Sequence, residues 1–226
     1  MKINDDLLSG EKVETAFRYF PPYSKLKMRA RDECLLELAR DRHVLHVGFL
    51  DHTESRQTKG IDGWFHGKLA PPLTASLNGL DVDEQAINDL KSQGWTDLFT
   101  WESIPKSSRY DLVLVPDVIE HVRNVGDFLD DLSRVDAELF VFSTPNAFSF
   151  VNRFLLKHEF INSDHLQWFS PWTIGAQLFR AGFELVEFEM CDTYTARDPI
   201  RALVNFLSPQ SRGTMVVTAV RRDRTK

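Results

Sequence analysis

Residues 110–122, YDLVLVPDVIEHV, settle the fold class of this chain. The run DLVLV is short, apolar and nearly uninterrupted, as expected for a strand in a parallel sheet covered by helices on both faces. Pro116 has no N–H to give to a ladder, so the strand is expected to stop there and deliver Asp117, Glu120 and His121 into a cleft. A helical turn at this point would bring positions i, i+3 and i+4 onto one face. A local capping box, with Asp117 and Glu120 meeting backbone donors and His121 packing sideways, fits the spacing equally well.

Two runs of the same kind, VLHVG at 44–48 and LFVFS at 139–143, belong with this strand at the centre of the sheet. Working outward, apolar runs alternate with amphipathic stretches from about residue 43 to the end, the signature of βαβ units. Strands are expected at 43–48, 77–82, 110–115, 138–143, 183–190 and 215–220, with a weaker one at 97–101. Glu184, Glu187 and Glu189 charge the sixth of these and suit a place near the sheet edge. Helices are expected at 24–40, 63–70, 83–93, 124–134, 148–157 and 171–181. Asn124 and Pro171 serve as starts, and Gly94 and Gly182 as stops. YFPPY at 19–23 separates residues 1–19 from the first long helix. The expectation is one domain over 1–226, with 1–40 as an N-terminal helical extension.

Composition narrows the function classes. The chain has 226 residues and a formal net charge of −6, which argues against non-specific binding to nucleic acid. No stretch approaches the roughly 20 apolar residues of a membrane helix, and MKINDDLLSGEKVE is acidic where a signal peptide is basic then apolar. A cytoplasmic protein is expected. The two cysteines, Cys34 and Cys191, have no CxxC or Cys/His spacing, so neither a disulfide framework nor a structural zinc site is indicated.

In an open α/β sheet, ligands bind beyond the carboxyl ends of the strands. After the first strand, Gly48 permits a tight turn and a close backbone approach. After the second, Asp81 is placed to accept hydrogen bonds from both hydroxyls of a ribose, next to Val82, while Asp83 caps the adjoining helix. After the weak strand, Trp101 and Glu102 could offer an aromatic face and a carboxylate or backbone group to an adenine; a buried Trp and a surface Glu suit the same residues. Further on, Asn162, Ser163, Asp164 and His165 form a polar cluster just before Trp168 and Phe169.

YDLVLVPDVIEHV resembles the fourth-strand signature of class I S-adenosylmethionine-dependent methyltransferases. The stretches LFVFSTPNAFSFVNRFLLKHEFINSDHLQWFSPWTI and AGFELVEFEM are similar to the second half of the same group. Within it the likeness is to ubiquinone-biosynthesis O-methyltransferases and to enzymes that modify bacterial surface polysaccharides. The resemblance implies a Rossmann-like, mostly parallel seven-stranded sheet with helices on both faces and its last strand antiparallel. It implies S-adenosylmethionine as cofactor. The first loop departs from the family pattern: His46 stands in place of an acid, and Leu50 and His52 in place of glycines. The span from Gly48 to Asp81 also exceeds the ~20 residues of a dinucleotide fingerprint, because residues 51–72 intervene. A similar long loop in the polysaccharide-associated branch implies cofactor contacts from Phe49 and His52, and the signature implies one from Asp117.

For an oxygen acceptor, proton removal near neutral pH suits a histidine. His121 and His165 are the catalytic candidates, with Glu120 or Asp117 orienting them. The expected function is O-methylation of a small-molecule or glycan acceptor. One alternative comes from small-RNA 2′-O-methyltransferases, whose Glu-x-x-Glu-His pattern and later histidine bind a divalent metal; here Asp117, Glu120, His121 and His165 would be the ligands. The primary reading assigns no metal, and the negative charge counts against RNA. A nicotinamide-dependent oxidoreductase should show GxGxxG after the first strand, which is missing. A non-catalytic binding protein on the same fold would account for the missing glycines but not for the polar cluster.

Overall fold

The computed structural model describes residues 5–15, 17, 19, 29–50, 63–152, 162–192, 203–204 and 207–222. Strands β1 (His43–Val47), β2 (Ser76–Leu80), β3 (Leu98–Phe99), β4 (Arg109–Pro116), β5 (Asp136–Pro145), β6 (Phe183–Cys191) and β7 (Thr214–Arg221) form a seven-stranded sheet of order β3-β2-β1-β4-β5-β7-β6. The β1–β2, β1–β4 and β2–β3 pairs are parallel, and β6–β7 is antiparallel. This is the Rossmann-like, mostly parallel seven-stranded sheet that the family resemblance implied. Val44, Leu45 and the four residues Leu112, Val113, Leu114 and Val115 are buried, which explains why these runs are apolar without alternation.

By contact density the described residues fall into two compact units. One comprises residues 32–116 and 135–140, the other those of 1–31, 117–134 and 141–226. In the first unit β1 lies between β2 and β4, so the strand order reverses at β1. That reversal is where an open α/β sheet takes its ligand. In the second unit β6 holds the edge. Of its three glutamates, Glu189 is nevertheless buried, because Arg29 closes on it through two hydrogen bonds, one of them 2.6 Å long.

Helices α1 (Asp5–Ser9), α2 (Arg31–Ala39), α3 (Phe65–Leu69), α4 (Glu84–Ser92), α5 (Val125–Leu132) and α6 (Pro171–Arg180) arise from local signals. Asp83 accepts from the Ala86 amide at 3.0 Å and starts α4. Asn124 caps α5, and Ser170 with Thr173 forms a capping box ahead of Pro171. Gly182, at φ 88°, ends α6 in a left-handed conformation that favours glycine. The helix expected at 24–40 begins only at Arg31, because Ala30 is drawn into an extended bridge with Asp192; residues 24–28 lie outside the described set. Most of the helix expected at 148–157 also falls outside it. No helix among the described residues is long and apolar enough to cross a membrane. Both cysteines are buried free thiols.

Gly79 in β2 shows how tightly the first unit is packed. A Cβ there would come within 2.8 Å of both Leu98 Cδ2 and Phe49 Cδ1. Those side chains sit in a core cluster with Trp64 and Ile87 and have little room to yield. Gly79→Ala is therefore expected to destabilise the fold by about 1–3 kcal/mol, read as a lower urea midpoint. An unchanged midpoint would show that Phe49 and Leu98 repack freely.

Candidate active site

In the first unit, three loops were expected to hold a cofactor. Gly48 turns the chain after β1 at φ 70°, and its amide donates to the Leu80 carbonyl at 2.8 Å, tying the ends of β1 and β2 together. Asp81 comes directly after β2. One carboxylate oxygen accepts from the Leu50 amide at 3.0 Å and the other from the Val82 amide at 2.8 Å. Burial pushes the Asp81 carboxyl upward, and these backbone donors pull it back. Val82 leaves its side chain 81 % exposed beside that carboxylate. Trp101 is half-buried and Glu102 exposed in the turn after β3. His52 lies outside the described residues.

Phe49 takes a different place from its neighbours. Its ring is 1 % exposed and packs against Trp64 and His66, while its carbonyl accepts from the Trp64 indole N–H at 2.8 Å. Beneath this loop is a pair that the sequence pattern does not connect: His46 Nδ1 lies 3.0 Å from His66 Nδ1, both rings buried. One nitrogen must carry the proton and the other accept it.

Burial holds His66 neutral, lowering its pKa from 6.5 to about 3. The folded state therefore binds fewer protons than the unfolded chain below pH 6.5. Stability is fully present above 6.5 and falls as pH drops toward 3, by up to about 1.4 kcal/mol per pH unit from this group. His66→Gln is expected to show a shallower acid-side loss than wild type in urea titrations across that window. Parallel slopes would mean that His66 is charged in the folded protein.

The second unit holds the other candidates. Asp117 comes after β4 at φ 50°, where its amide donates to the Ser143 carbonyl at 2.9 Å and its carboxylate accepts from the Ser143 hydroxyl at 2.7 Å. Its other carboxylate oxygen accepts from Arg31. Asp117 is left-handed, so no regular right-handed helix runs through 117–121; instead a tight turn closes with the His121 amide donating to the Val118 carbonyl at 2.9 Å. The capping box at Asp117 and Glu120 is absent as well, since α5 starts further on with Asn124. Nothing in the sequence pattern singles out Arg31 as a partner. For Ser143, the one available signal is a hydroxyl near the carboxyl end of an otherwise apolar strand.

Glu120 and the 162–168 loop are joined by the backbone. The Leu166 and Gln167 amides both donate to the Glu120 carbonyl, at 2.8 and 3.1 Å. This brings His165 beside His121, with ring centroids 4.7 Å apart and the rings nearly perpendicular. His121 Nδ1 lies 3.3 Å from both the backbone oxygen and a carboxylate oxygen of Asp164. Both neighbours only accept, so Nδ1 is the donor. Asn162 Nδ2 lies 3.3 Å from His165 Nε2.

The Glu120 side chain is 1 % exposed, and neither carboxylate oxygen has a hydrogen bond among the described groups. Burial, then the charge of Asp117, pushes its pKa up to about 8; its own backbone N–H, Thr144 and Arg31 oppose this more weakly, the first two without reaching hydrogen-bond geometry. One carboxylate oxygen of Glu120 and one nitrogen each of His121 and His165 lie within 4.8 Å of one another. Asp117 is not in this group, because Arg31 and Ser143 take its carboxylate.

A sheet that reverses at β1, a glycine turn after β1 and a carboxylate after β2 together define an α/β enzyme for a nucleoside-containing cofactor. A family model for the methyltransferase domain matches residues 35–188, and the chain belongs to that family. It is an S-adenosylmethionine-dependent methyltransferase. Among solved structures it is similar to magnesium protoporphyrin IX methyltransferase of Synechocystis PCC 6803 with bound S-adenosylhomocysteine, at TM-score 0.52, 15% identity, and coverage of 84% of this chain and 81% of that one. It is also similar to an S-adenosylmethionine-dependent methyltransferase of Mesorhizobium loti, at TM-score 0.50, 16% identity and coverage of 85% and 98%. The N-methyltransferase NodS of Bradyrhizobium japonicum WM9 matches at TM-score 0.50, 14% identity and coverage of 85% and 95%. No curated protein matches the sequence. The residues suit the cofactor: Asp81 supplies acceptors for hydroxyls, Gly48 a left-handed turn after β1, and Val82 an exposed apolar residue.

Proposed function

We propose that the protein methylates an oxygen of a small-molecule or glycan acceptor, with Glu120, His121 and His165 serving the acceptor. The convergence of these three side chains carries the reading. When bound, S-adenosylmethionine supplies a methyl group on a positively charged sulfur, which departs with the carbon–sulfur electron pair. The protein must hold the acceptor in line and let its hydroxyl proton go as the new carbon–oxygen bond forms. His121, oriented by Asp164 at Nδ1, suits that task through its opposite ring nitrogen. So does His165, which the Glu120 carbonyl holds in place through the neighbouring amides.

On the cofactor side, Asp81 takes the ribose hydroxyls, with Gly48, Val82, Trp101 and Glu102 around it. Phe49, His52 and Asp117 complete the expected set. The net charge of −6 favours a small or glycan acceptor over RNA, and a cytoplasmic location goes with this reading. The test is a mass-spectrometric screen of sugar nucleotides, lipid-linked glycans and quinone precursors with S-adenosylmethionine. A gain of one methyl group on a hydroxyl is the expected result. Methylation of nitrogen alone would overturn it.

A further inference from the structure

We infer that Glu120, Thr144 and Trp168 form a subsite for a second hydroxyl of the acceptor, beside the one that is methylated. The inference rests on the reading that the end of β4 serves an oxygen acceptor, and it narrows that acceptor to a polyol, a sugar ring above all. Both carboxyl oxygens of Glu120, the Thr144 hydroxyl and the Trp168 indole N–H are buried and have no hydrogen-bond partner among the described residues. The Glu120 and Thr144 side chains are 1 % and 0 % exposed. Polar groups stripped of water in this way are costly unless something pairs with them.

The backbone brings the three together. Thr144, at the carboxyl end of β5, is close enough to act on the Glu120 carboxyl while falling short of a hydrogen bond to it. Trp168 is pinned on both sides. The Leu166 and Gln167 amides before it donate to the Glu120 carbonyl. Phe169 after it is bridged to Asn146, and its carbonyl accepts from the Ala147 amide at 2.9 Å, just beyond Thr144. None of the three is an imidazole, so His121 and His165 keep their role at the reacting oxygen.

The chemistry of the three groups selects the ligand. The indole N–H only donates, and the Thr144 hydroxyl donates and accepts. The Glu120 carboxyl, pushed up to about 8 chiefly by burial, is mostly protonated at neutral pH and also does both. A hydroxyl matches such a mixed set, having one proton to give and lone pairs to receive. An ammonium only donates and would meet the indole N–H, while a carboxylate or phosphate would face the charges of Asp117 and Asp164. A site built to hold a hydroxyl rejects the analogue lacking it, because its own buried groups would then stay unpaired.

The test uses the full chain saturated with S-adenosylhomocysteine and two probes built on a six-membered ring, trans-1,2-cyclohexanediol and cyclohexanol, while the indole N–H resonances are followed by NMR. Trp168→Phe identifies the Trp168 signal. That signal is expected to shift saturably with the diol, with a dissociation constant on the order of 10 mM for so small a molecule, and to respond several-fold more weakly to cyclohexanol. Thr144→Val removes the hydroxyl and keeps the branched shape, so it should unfold in urea like wild type and weaken the diol by roughly 2- to 10-fold, the loss of one hydrogen bond. Glu120→Gln, which keeps an acceptor and a donor, should retain the diol, whereas Glu120→Leu should lose it. No response of Trp168 to the diol, or equal responses to the two probes, overturns the proposal; groups that hold only a structural water would give that result. Diol binding untouched by both Thr144→Val and Glu120→Leu overturns it too. The two readings fail separately: a methylated hydroxyl with no diol response removes the subsite alone, whereas diol binding without any methylated hydroxyl removes the O-methylation reading alone.

Discussion

Replacing His165 by alanine should lower turnover by about 10²- to 10⁴-fold while leaving the dissociation constant of S-adenosylhomocysteine essentially unchanged. The magnitude is what a positioned group that assists proton removal contributes to a transition state. Selectivity for turnover comes from placement. His165 is held by the 162–168 loop against Glu120 and His121, whereas the expected cofactor contacts of the first unit gather around Gly48 and Asp81. Losing an interaction made only in the transition state lowers kcat and kcat/KM together. The measurements are steady-state kinetics on the acceptor found by the screen and calorimetry with S-adenosylhomocysteine. His121→Ala should behave alike. Full activity in His165→Ala would return that residue to a packing role and leave proton removal to His121 or to solvent.

The second large effect is expected at Asp81. Asp81→Ala should weaken S-adenosylhomocysteine binding at least tenfold, because a lost charge-assisted hydrogen bond costs about 1.5–3 kcal/mol and each 1.4 kcal/mol is a factor of about ten. The substitution also frees the Leu50 and Val82 amides, which both donate to this carboxylate, so the loops after β1 and β2 lose a shared anchor. Asp83→Ala is the control. Its carboxylate caps α4 through the Ala86 amide, so its loss should lower stability by about 0.5–2 kcal/mol without changing affinity. Calorimetry and urea unfolding on both variants separate the two outcomes. Equal losses of affinity would show that the ribose carboxylate has been misassigned.

The parallel sheet, its central strands and its charged edge were legible in the residues, because a strand buried on both faces must be apolar throughout and an exposed one need not be. The helix starts at Asp83, Asn124 and Pro171 were legible for a similar reason: a helix start is made within a few residues and leaves a local mark. That Asp81 comes directly after a strand was legible in the residues. The composition of the cluster around Glu120 was not. Asp117, Glu120 and His121 are spaced like one turn of helix, yet Ser143 and Arg31 draw Asp117 into a left-handed conformation and take up its carboxylate. Both partners are distant in sequence, so no local pattern announces them. The same holds for Phe49, whose ring Trp64 and His66 draw into the core, and for the His46–His66 pair beneath it. Spacing along the chain determined which groups could meet; long-range hydrogen bonds and packing decided that Glu120, His121 and His165 do, and that Asp117 does not.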